Sequence, residues 1–283
     1  MDTAAQDTAS PLSRALVTFV VPVRHQDNAR DWGALKSRLR QTLASIANQT
    51  NPDWHCVIVC NTGADLPPLP DRTAVVRVSY PPNDLHDLGQ GPRDAALDAF
   101  RLDKGRRVLA GMLAAPDCRY FMVVDDDDLL SNRIVAHVAR NNGQSGWFVD
   151  TGFLWNDNGR TFFRVNQFDR ICGTSLIVRR DLYALPAQAQ EAEDGWIMSM
   201  LGSHVRIRDI LAARDAPLAP LPFAGAAYRV ASAGSHSRQP GILRLKFLDP
   251  GLLRRPRRLL GNLLRLRWIG PRLRAEFFGR PPA

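Results

Sequence analysis

The stretch Tyr120-Phe-Met-Val-Val-Asp-Asp-Asp-Asp-Leu-Leu130 joins a run of apolar residues to four consecutive carboxylates. A short apolar run of this kind is typical of a strand that is buried on both faces, as in the middle of a parallel sheet. The acids, Asp125 to Asp128, follow the carboxyl end of that strand, which is where open α/β sheets bind their ligands. The sequence therefore predicts an α/β domain with its site at this end of the sheet.

The spacing of the four acids predicts which of them act together. Side chains at alternate positions of an extended segment point the same way, so we expect Asp125 and Asp127 to converge while Asp126 and Asp128 face elsewhere. Adjacent carboxylates repel one another unless a positive group lies among them, and a hard divalent cation such as Mg²⁺ or Mn²⁺ suits that place. The alternative is a solvated acidic loop that caps a helix starting near Ser131.

The order of apolar patterns along the chain supports this fold class. Apolar runs and helical spacings predict strand, helix, strand, strand, helix and strand, which is the opening of a nucleotide-binding α/β sheet. The second helix is predicted to break near Lys104-Gly105. Single strands are predicted at 16–23, 54–60, 74–79, 120–124, 171–178 and from 228, and a region of aromatic-rich strands at 146–163. The predicted helices lie at 35–46, 95–113, 134–139 and 193–201.

The net charge of +9 is unevenly distributed along the 283 residues. Residues 241–283 carry eleven basic and two acidic side chains, so this segment accounts for the whole excess. Residues 1–13 are small and polar, which predicts a disordered leader. We therefore expect a leader at 1–13, one large domain at 14–240 and a basic helical tail at 241–283.

The cysteines and the hydropathy pattern indicate a reducing compartment. Cys56, Cys60, Cys118 and Cys172 have no metal-finger spacing, and the first two lie in an apolar run, where we expect them to pack as small hydrophobic residues. No signal peptide is apparent, and no apolar run reaches the roughly 18 residues of a membrane-spanning helix. We expect a protein that is cytosolic or bound to a membrane face.

Five features follow one another between about residues 16 and 237. They are a first strand ending in Val21-Pro-Val23, the aspartate cluster, a strand with Gly173-Thr174-Ser175, the pair Glu193-Asp194 at a helix start, and His236 in a late loop. In this order and over this length they resemble the family 2 glycosyltransferases of GT-A fold. The resemblance implies a Rossmann-like α/β domain with a mixed central sheet and helices on both faces. It also implies an inverting enzyme that transfers a sugar from a nucleotide-diphosphate donor with a divalent metal.

The resemblance assigns roles to the acids and to the late histidine. Asp125 and Asp127 match the family's D-x-D motif, which holds Mn²⁺ or Mg²⁺ and reaches the donor. His236 matches a residue that often completes the metal's coordination, although a loop histidine beside serines is also common on a surface. Asp194 matches the general base, with Glu193 orienting the loop or touching the acceptor. Acids in a first helical turn also complement the helix dipole, which is the structural alternative for this pair.

Donor-binding positions match less completely. At the first strand tip, where the family meets the nucleotide base, Arg24 replaces the usual acid, and at the second strand tip Asn61 lies in a segment that commonly carries carboxylates. An amide still pairs with a base edge or ribose. Arg106 and Arg107 match basic positions near the donor phosphates, and a solvated helix face is their alternative. The residues predicted to bind the donor are Pro22, Val23, Arg24, Asn61, Arg106, Arg107 and Asp125.

The tail alternates pairs of leucines with pairs of arginines between residues 252 and 269. This spacing predicts short basic amphipathic helices, broken at Pro256 and Pro271, that bind an anionic membrane surface. Packing on the domain is one alternative. Nucleic-acid binding is another, but no nucleic-acid module is recognisable and leucines do not serve phosphate contacts, so we expect no nucleic-acid partner.

Two classes of function fit the sequence. The first is an inverting, metal-dependent glycosyltransferase, peripheral on the cytoplasmic face of the inner membrane, that acts on a glycan or lipid-linked acceptor in cell-surface polysaccharide synthesis. The second is a catalytically silent GT-A module that binds a nucleotide or glycan within an assembly. Retention of the aspartate cluster and of Glu193-Asp194 favours the enzyme, whereas Arg24 and Asn61 suit the silent module.

Overall fold

The computed structural model describes residues 14–85, 93–230, 241–242, 246–247 and 256–279. None of the helices in these ranges combines the length and the apolar character that a membrane-spanning helix requires. The predicted leader at 1–13 and the predicted metal ligand His236 lie outside the described residues.

A seven-stranded mixed sheet forms the centre of the fold. In spatial order its strands are β3 (Thr73–Val78), β2 (Trp54–Asn61), β1 (Val17–Pro22), β4 (Tyr120–Val123), β9 (Leu176–Arg179), β6 (Gly146–Phe148) and β10 (Ala219–Pro220). Strand β9 is antiparallel to both of its neighbours, and the other pairs are parallel. The carboxyl ends of β1 and β4 therefore lie side by side.

Helices cover both faces of this sheet because alternate residues of its strands point to opposite sides. In β1, Phe19 and Val21 pack on the side of α1 (Trp32–Ala47) and α3 (Ile134–Arg140), whereas Val20 packs on the side of α2 (Arg93–Leu113). The α2 side also holds α4 (Asp194–Trp196), which continues as a π-helical turn at Ile197–Leu201, and α5 (Ile207–Ala212). Single 3₁₀ turns occur at Gln26–Asn28, Phe168–Arg170, Arg180–Tyr183 and Ala189–Glu191.

A second sheet of five strands lies beyond the aspartate cluster. Its spatial order is β12 (Leu266–Trp268), β8 (Thr161–Asn166), β7 (Thr151–Asn156), β11 (Ala226–Val230) and β5 (Leu129–Leu130). The C-terminal part of the chain adds α6 (Pro256–Leu263), β12 and α7 (Pro271–Phe277). Phe277 of α7 is fully buried among the aromatic rings of this sheet, so α7 forms part of the core.

The predicted α/β class, a Rossmann-like architecture with a mixed central sheet and helices on both faces, is confirmed. Cys56 and Cys60 pack in apolar clusters as expected, and all four cysteines are buried and unbonded to one another.

Three details of the sequence analysis are wrong. Helix α2 is continuous through Gly105, and a Cβ there would lie 2.5 Å from Ile197 Cγ2, so the glycine permits close helix packing and does not break the helix. The strand predicted at 171–178 begins only at Leu176. Pro256 and Pro271 begin helices, as proline's fixed φ and missing N–H allow, and a strand lies between those helices.

Candidate functional site

A cleft of about 340 Å³ opens at the carboxyl ends of β1 and β4. Its lining comes from α2, from the aspartate cluster and from the segments around residues 172 and 204. The lining residues are Pro22, Arg24, Leu97, Phe100, Arg101, Asp103, Lys104, Arg107, Asp125, Asp126, Asp127, Ile171, Cys172, Gly173, Gly202, Ser203, His204, Val205 and Tyr228.

Three of the four acids line this cleft, and not two as the alternation of a strand predicts. Strand β4 ends at Val123 and the chain turns at Asp126 and Asp127, so the two-residue period of an extended segment no longer applies. Asp125, Asp126 and Asp127 all face the cleft. The expectation that Asp126 faces elsewhere is therefore wrong.

Asp128 is fully buried and holds the base of the turn. Its carboxylate accepts hydrogen bonds from Thr174 Oγ1 at 2.5 Å, from Cys172 Sγ at 3.1 Å and from the Arg229 N–H at 3.3 Å. The Thr174 hydroxyl oxygen in turn accepts a bond from the N–H of Asp125 at 2.9 Å. One threonine thus ties the first and last acids of the cluster together.

Arg229 fixes the turn from the second sheet. Its guanidinium is fully buried, and Nε donates to the carbonyl of Asp127 at 2.9 Å. The remaining donors pair with Asp157 and, at 2.9 Å, with Gln41, and the group lies 4.4 Å from the centre of the Trp155 ring. Each of the three guanidinium nitrogens therefore has a hydrogen-bond acceptor.

Lys104 supplies a positive charge inside the acidic cluster. Its ammonium, only 14% exposed, forms an ion pair with Asp125. Burial acts to lower the pKa of Lys104, but the charge of Asp125 and the hydrogen bond to it outweigh burial and raise that pKa. A Cβ at Gly173 would lie 2.8 Å from Asp125 Oδ2 and 2.9 Å from Lys104 Nζ, so a larger residue at this position would require the ends of these two side chains to shift.

Burial and mutual repulsion shift the other acids strongly. Burial raises the pKa of Asp127 to about 7, with Asp126 and Asp125 adding to the rise. The pKa of Asp126 is raised, chiefly by burial, and that of Asp128 is raised well above its ordinary range for the same reason. The cluster is therefore short of positive charge even with Lys104 in place.

His204 faces the cleft from the segment between the π-helical turn and α5. Its Nε2 atom is buried and has no hydrogen-bond partner among the described residues. Burial, with a contribution from the nearby Lys104, lowers the pKa of His204 to about 4, so the ring is neutral at pH 7. A neutral imidazole with an unsatisfied nitrogen is suited to hydrogen bonding with a ligand.

The donor-binding residues predicted from the sequence divide into two groups. Pro22, Arg24 and Arg107 line the cleft, together with Asp125. Arg107 is almost fully buried and is held by Asp103 and by Asn61 Oδ1, the latter at 2.6 Å. The structure does not bring the other three to the cleft lining: Val23 is buried in the core, Asn61 is buried and bonded to Tyr80 and Arg107, and Arg106 lies outside.

The predicted catalytic pair lies at the start of α4, outside the cleft lining. Asp194 is 55% exposed and forms an ion pair with Arg106 at 3.1 Å. Glu193 is the N-cap residue of the same helix and makes no side-chain capping bond. The two acids therefore stand on the α2 side of the molecule, next to a residue predicted to contact phosphates.

The acids of the cleft fit a divalent cation only in part. No group of three or more acidic, histidine or cysteine side chains within the described ranges is arranged to hold a metal by itself. Magnesium-type ions are often bound by one or two carboxylates together with substrate phosphates, and the raised pKa values of Asp126 and Asp127 indicate a place that favours added positive charge. The carboxylates present therefore suit an ion that arrives with a phosphorylated ligand.

Lys104, Asp126 and His204 are site residues that the sequence analysis did not find. Lys104 lies on a helix whose apolar spacing gives no sign of a buried cation, and His204 belongs to no recognisable motif. Only Asp126 carried a signal, since it lies within the acidic run.

Comparisons with known proteins show distant likenesses. No protein-family model and no curated protein matches the sequence. S. aureus TarS 1–349 is 14% identical at a TM-score of 0.41, covering 75% of this chain and 60% of that one. A second structure of S. aureus TarS is 13% identical at 0.41, covering 76% and 37%, so the chain spans less than two thirds of either TarS chain. Rv0371C of Mycobacterium tuberculosis H37Rv, complexed with manganese, is 10% identical at 0.35, covering 80% and 97%. None of these likenesses assigns a function.

Proposed function

We propose that this protein is an inverting, metal-dependent glycosyltransferase that moves a hexosyl or deoxyhexosyl group from a nucleotide-diphosphate sugar to a glycan or lipid-linked acceptor. We place this reaction in cell-surface polysaccharide synthesis, on the cytoplasmic face of the inner membrane. The observation that carries the proposal is the convergence of Asp125, Asp126 and Asp127 on one cleft at the carboxyl end of the central sheet. Open α/β sheets bind nucleotides at such a place.

The charges around the cleft support a diphosphate ligand. Acids line its floor, and Arg24, Arg101, Lys104 and Arg107 line its sides. A guanidinium or an ammonium would hold phosphate oxygens through charge-assisted hydrogen bonds. The neutral ring of His204 adds one hydrogen-bonding atom that has no protein partner within the described structure.

In this proposal Asp125 and Asp127 hold Mn²⁺ or Mg²⁺, with His236 as a further ligand. Held by these residues, such an ion would supply positive charge to offset the negative charge of a departing nucleoside diphosphate, which would stabilise the transition state more than the ground state. The chain's own residues orient the donor: Arg229 and Thr174 fix the aspartate turn, and Lys104 holds the Asp125 carboxylate.

Asp194 is the proposed general base, which takes the proton of the attacking acceptor hydroxyl. Its exposed carboxylate pairs with Arg106, so the acceptor would have to approach from the α4 side of the cleft and displace or share that arginine. Glu193, directly before it, would contact the acceptor or orient the loop.

A catalytically silent nucleotide- or glycan-binding module is the second candidate. Asp194 is occupied by Arg106 and does not line the cleft, which is the observation in its favour. The two candidates differ in turnover and not in binding.

The function is tested by melting the purified protein with a panel of nucleoside diphosphates and nucleotide sugars, with and without Mn²⁺. The matching nucleotide should raise the Tm, because a ligand that binds only the folded state stabilises it by mass action, by about 2.7 kcal/mol at a hundredfold excess over Kd. Mn²⁺ should increase that rise. Donor hydrolysis or transfer with the same ligand identifies the enzyme, and binding without turnover identifies the silent module. A flat panel would contradict both.

Replacement of Asp194 by Asn should remove transfer and leave donor binding unchanged. The amide keeps the shape of the side chain but accepts no proton, and loss of a general base typically costs about 10² to 10⁴ in rate. The nucleotide-induced Tm shift measures binding, and initial rates measure transfer. Asp209→Asn is the matched control, because Asp209 is also an exposed acid paired with an arginine, Arg170. Unchanged transfer by Asp194→Asn would refute the role.

A further inference from the structure

Exposed apolar side chains concentrate on one short part of the C-terminal segment. Among the described residues seven large hydrophobic side chains are exposed, and four of them lie between residues 260 and 268. They are Leu260, Leu263, Leu264 and Trp268, with 60%, 54%, 69% and 64% of their surface accessible. A cluster of this kind marks an interaction site more often than singly scattered leucines do.

The packing of α6 explains why these leucines point outward. Asn262 is buried and donates a hydrogen bond to the carbonyl of Lys246 at 2.7 Å, so the polar side chain faces the protein. Leu260 and Leu263 are three positions apart, which places them together on a different face of α6, and Leu264 directly follows the helix, with its N–H donating to the Leu260 carbonyl at 3.1 Å. The helix therefore presents apolar residues to solvent, the reverse of an ordinary surface helix.

The segment is also held firmly in this orientation. β12, which follows α6, pairs with β8, and Phe277 of α7 is fully buried in the aromatic cluster. The leucines cannot turn inward without breaking these contacts. They are the outer surface of an anchored element.

Positive charge surrounds the apolar cluster. Arg257, Arg265 and Arg267 are all exposed, and residues 256–268 contain no acidic residue. We call Arg257, Leu260, Leu263, Leu264, Arg265 and Trp268 the leucine–arginine surface. Apolar side chains flanked by arginines, with a tryptophan at one end, match the interface of an anionic bilayer, where the leucines enter the acyl region and the arginines meet lipid phosphates.

We propose that the leucine–arginine surface binds anionic lipid membranes. A protein partner would need acids facing these arginines, and a second copy of the chain would place arginine against arginine across a two-fold interface. Nucleic acid would satisfy the arginines but would leave the three leucines in water. An anionic lipid surface satisfies both parts of the surface, the leucines with its acyl chains and the arginines with its phosphates. The proposal does not depend on the reaction, because membrane binding is measured without turnover.

The test is co-sedimentation of the full-length protein with vesicles of phosphatidylcholine alone or mixed with phosphatidylglycerol. Binding should require phosphatidylglycerol and weaken as salt rises. The triple variant Leu260→Gln, Leu263→Gln, Leu264→Gln should bind about tenfold less or weaker still, because three apolar side chains no longer leave water. The double variant Arg257→Gln, Arg265→Gln should bind about 25-fold less, at about fivefold for each arginine.

Matched controls test whether the loss of vesicle binding is specific to the leucine–arginine surface or follows from replacing any exposed leucine or arginine. Leu69→Gln changes another exposed leucine, and Arg40→Gln with Arg214→Gln removes two exposed arginines elsewhere. Both controls should bind vesicles as the unaltered protein does, apart from the small loss expected from net charge. All replaced side chains are exposed, so the Tm of each variant should stay near that of the unaltered protein. If the triple leucine variant has a lowered Tm, vesicle binding by the double variant Arg257→Gln, Arg265→Gln tests the proposal instead.

The fluorescence of Trp268 can show directly whether this residue enters the lipid bilayer. In bound protein, lipids brominated along the acyl chain should quench part of the fluorescence of the six tryptophans, and Trp268→Phe should abolish that part. Four outcomes overturn the proposal: equal binding to neutral vesicles, unchanged binding by both variants, a dimer without lipid that the triple variant converts to monomer, or binding of duplex DNA without binding of vesicles.

Discussion

Replacement of Asp127 by Asn is expected to abolish metal-dependent turnover of the nucleotide sugar, with a loss of about 10² to 10³ or more in rate. Asp127 lines the cleft, and its carboxylate is one of the two proposed to hold the divalent ion. The amide keeps the volume and one oxygen but removes the negative charge that attracts the ion. Initial rates with saturating donor and increasing Mn²⁺ measure the effect.

Asp71→Asn is the control for this change, because Asp71 is an exposed acid in the turn before β3 and is remote in sequence from the cluster. Its turnover should equal that of the unaltered protein. An Asp127→Asn variant that retains both its rate and its dependence on Mn²⁺ would remove this carboxylate from the mechanism.

The raised pKa of Asp127 makes the Tm of the metal-free protein depend on pH, and Asp127→Asn should reduce that dependence. Its pKa is about 7 in the folded protein against an ordinary value of 3.8, so the folded state holds a proton that the unfolded state has released. The stability from this group is fully present below about pH 4 and is lost as pH rises through 7. Metal-free protein should therefore lose Tm between pH 5 and 7.5, and Asp127→Asn should flatten that loss. Affinity for Mn²⁺ should change oppositely, rising with pH, because only the ionised carboxylate binds metal.

Replacement of Lys104 by Met should destabilise the metal-free protein by about 3 kcal/mol. The ammonium is the cation that faces Asp125 in this structure, and its removal leaves a partly buried carboxylate among three others. Mn²⁺ supplies a replacement charge, so the rise in Tm on adding Mn²⁺ should be larger for the variant than for the parent. Thermal melts in EDTA and in saturating Mn²⁺ test this difference.

Lys36→Met is the matched control, since Lys36 also pairs with one aspartate, Asp65, but at a surface where that aspartate is 67% exposed. Water and salt screen such an exposed pair, so its removal should change the Tm little and should be independent of Mn²⁺. Equal losses for Lys104→Met in EDTA and in Mn²⁺ would show that this lysine does not share its place with a metal.

The central sheet and the position of the cleft could be predicted from the sequence. Strands that are buried on both faces leave continuous apolar runs, and β1, β2 and β4 each do so. The carboxyl-end rule then places Pro22 and the aspartates at one edge, which the structure bears out. Strand burial and the position of a strand's end depend on short segments, so the local sequence is enough to predict them.

Contacts between distant segments could not be predicted in this way. The pair Lys104–Asp125 joins positions 21 residues apart, and nothing in a helical pattern distinguishes a lysine that turns inward. The sequence alone predicts a helix break at Gly105 because the residue that packs on this glycine, Ile197, lies far along the chain. The two-residue period of a strand gives the wrong direction for Asp126 because β4 ends three residues earlier, at Val123.

The C-terminal segment shows a different limit. Its leucine–arginine pattern correctly indicates helices, but the pattern does not reveal that Phe277 enters the aromatic core or that residues 266–268 join a sheet. A repeating pattern describes an element and not what it packs against.

The buried guanidinium of Arg229 has a consequence for how a ligand is received. Because it is bonded at once to the Asp127 carbonyl, to Asp157 and to Gln41, the aspartate turn is fastened to the second sheet and to α1 before any ligand arrives. Because the turn is already ordered, ligand binding does not have to supply the entropic cost of ordering it. A site that is already ordered does not rearrange to fit a ligand, so we expect it to bind compounds of slightly different shape more weakly.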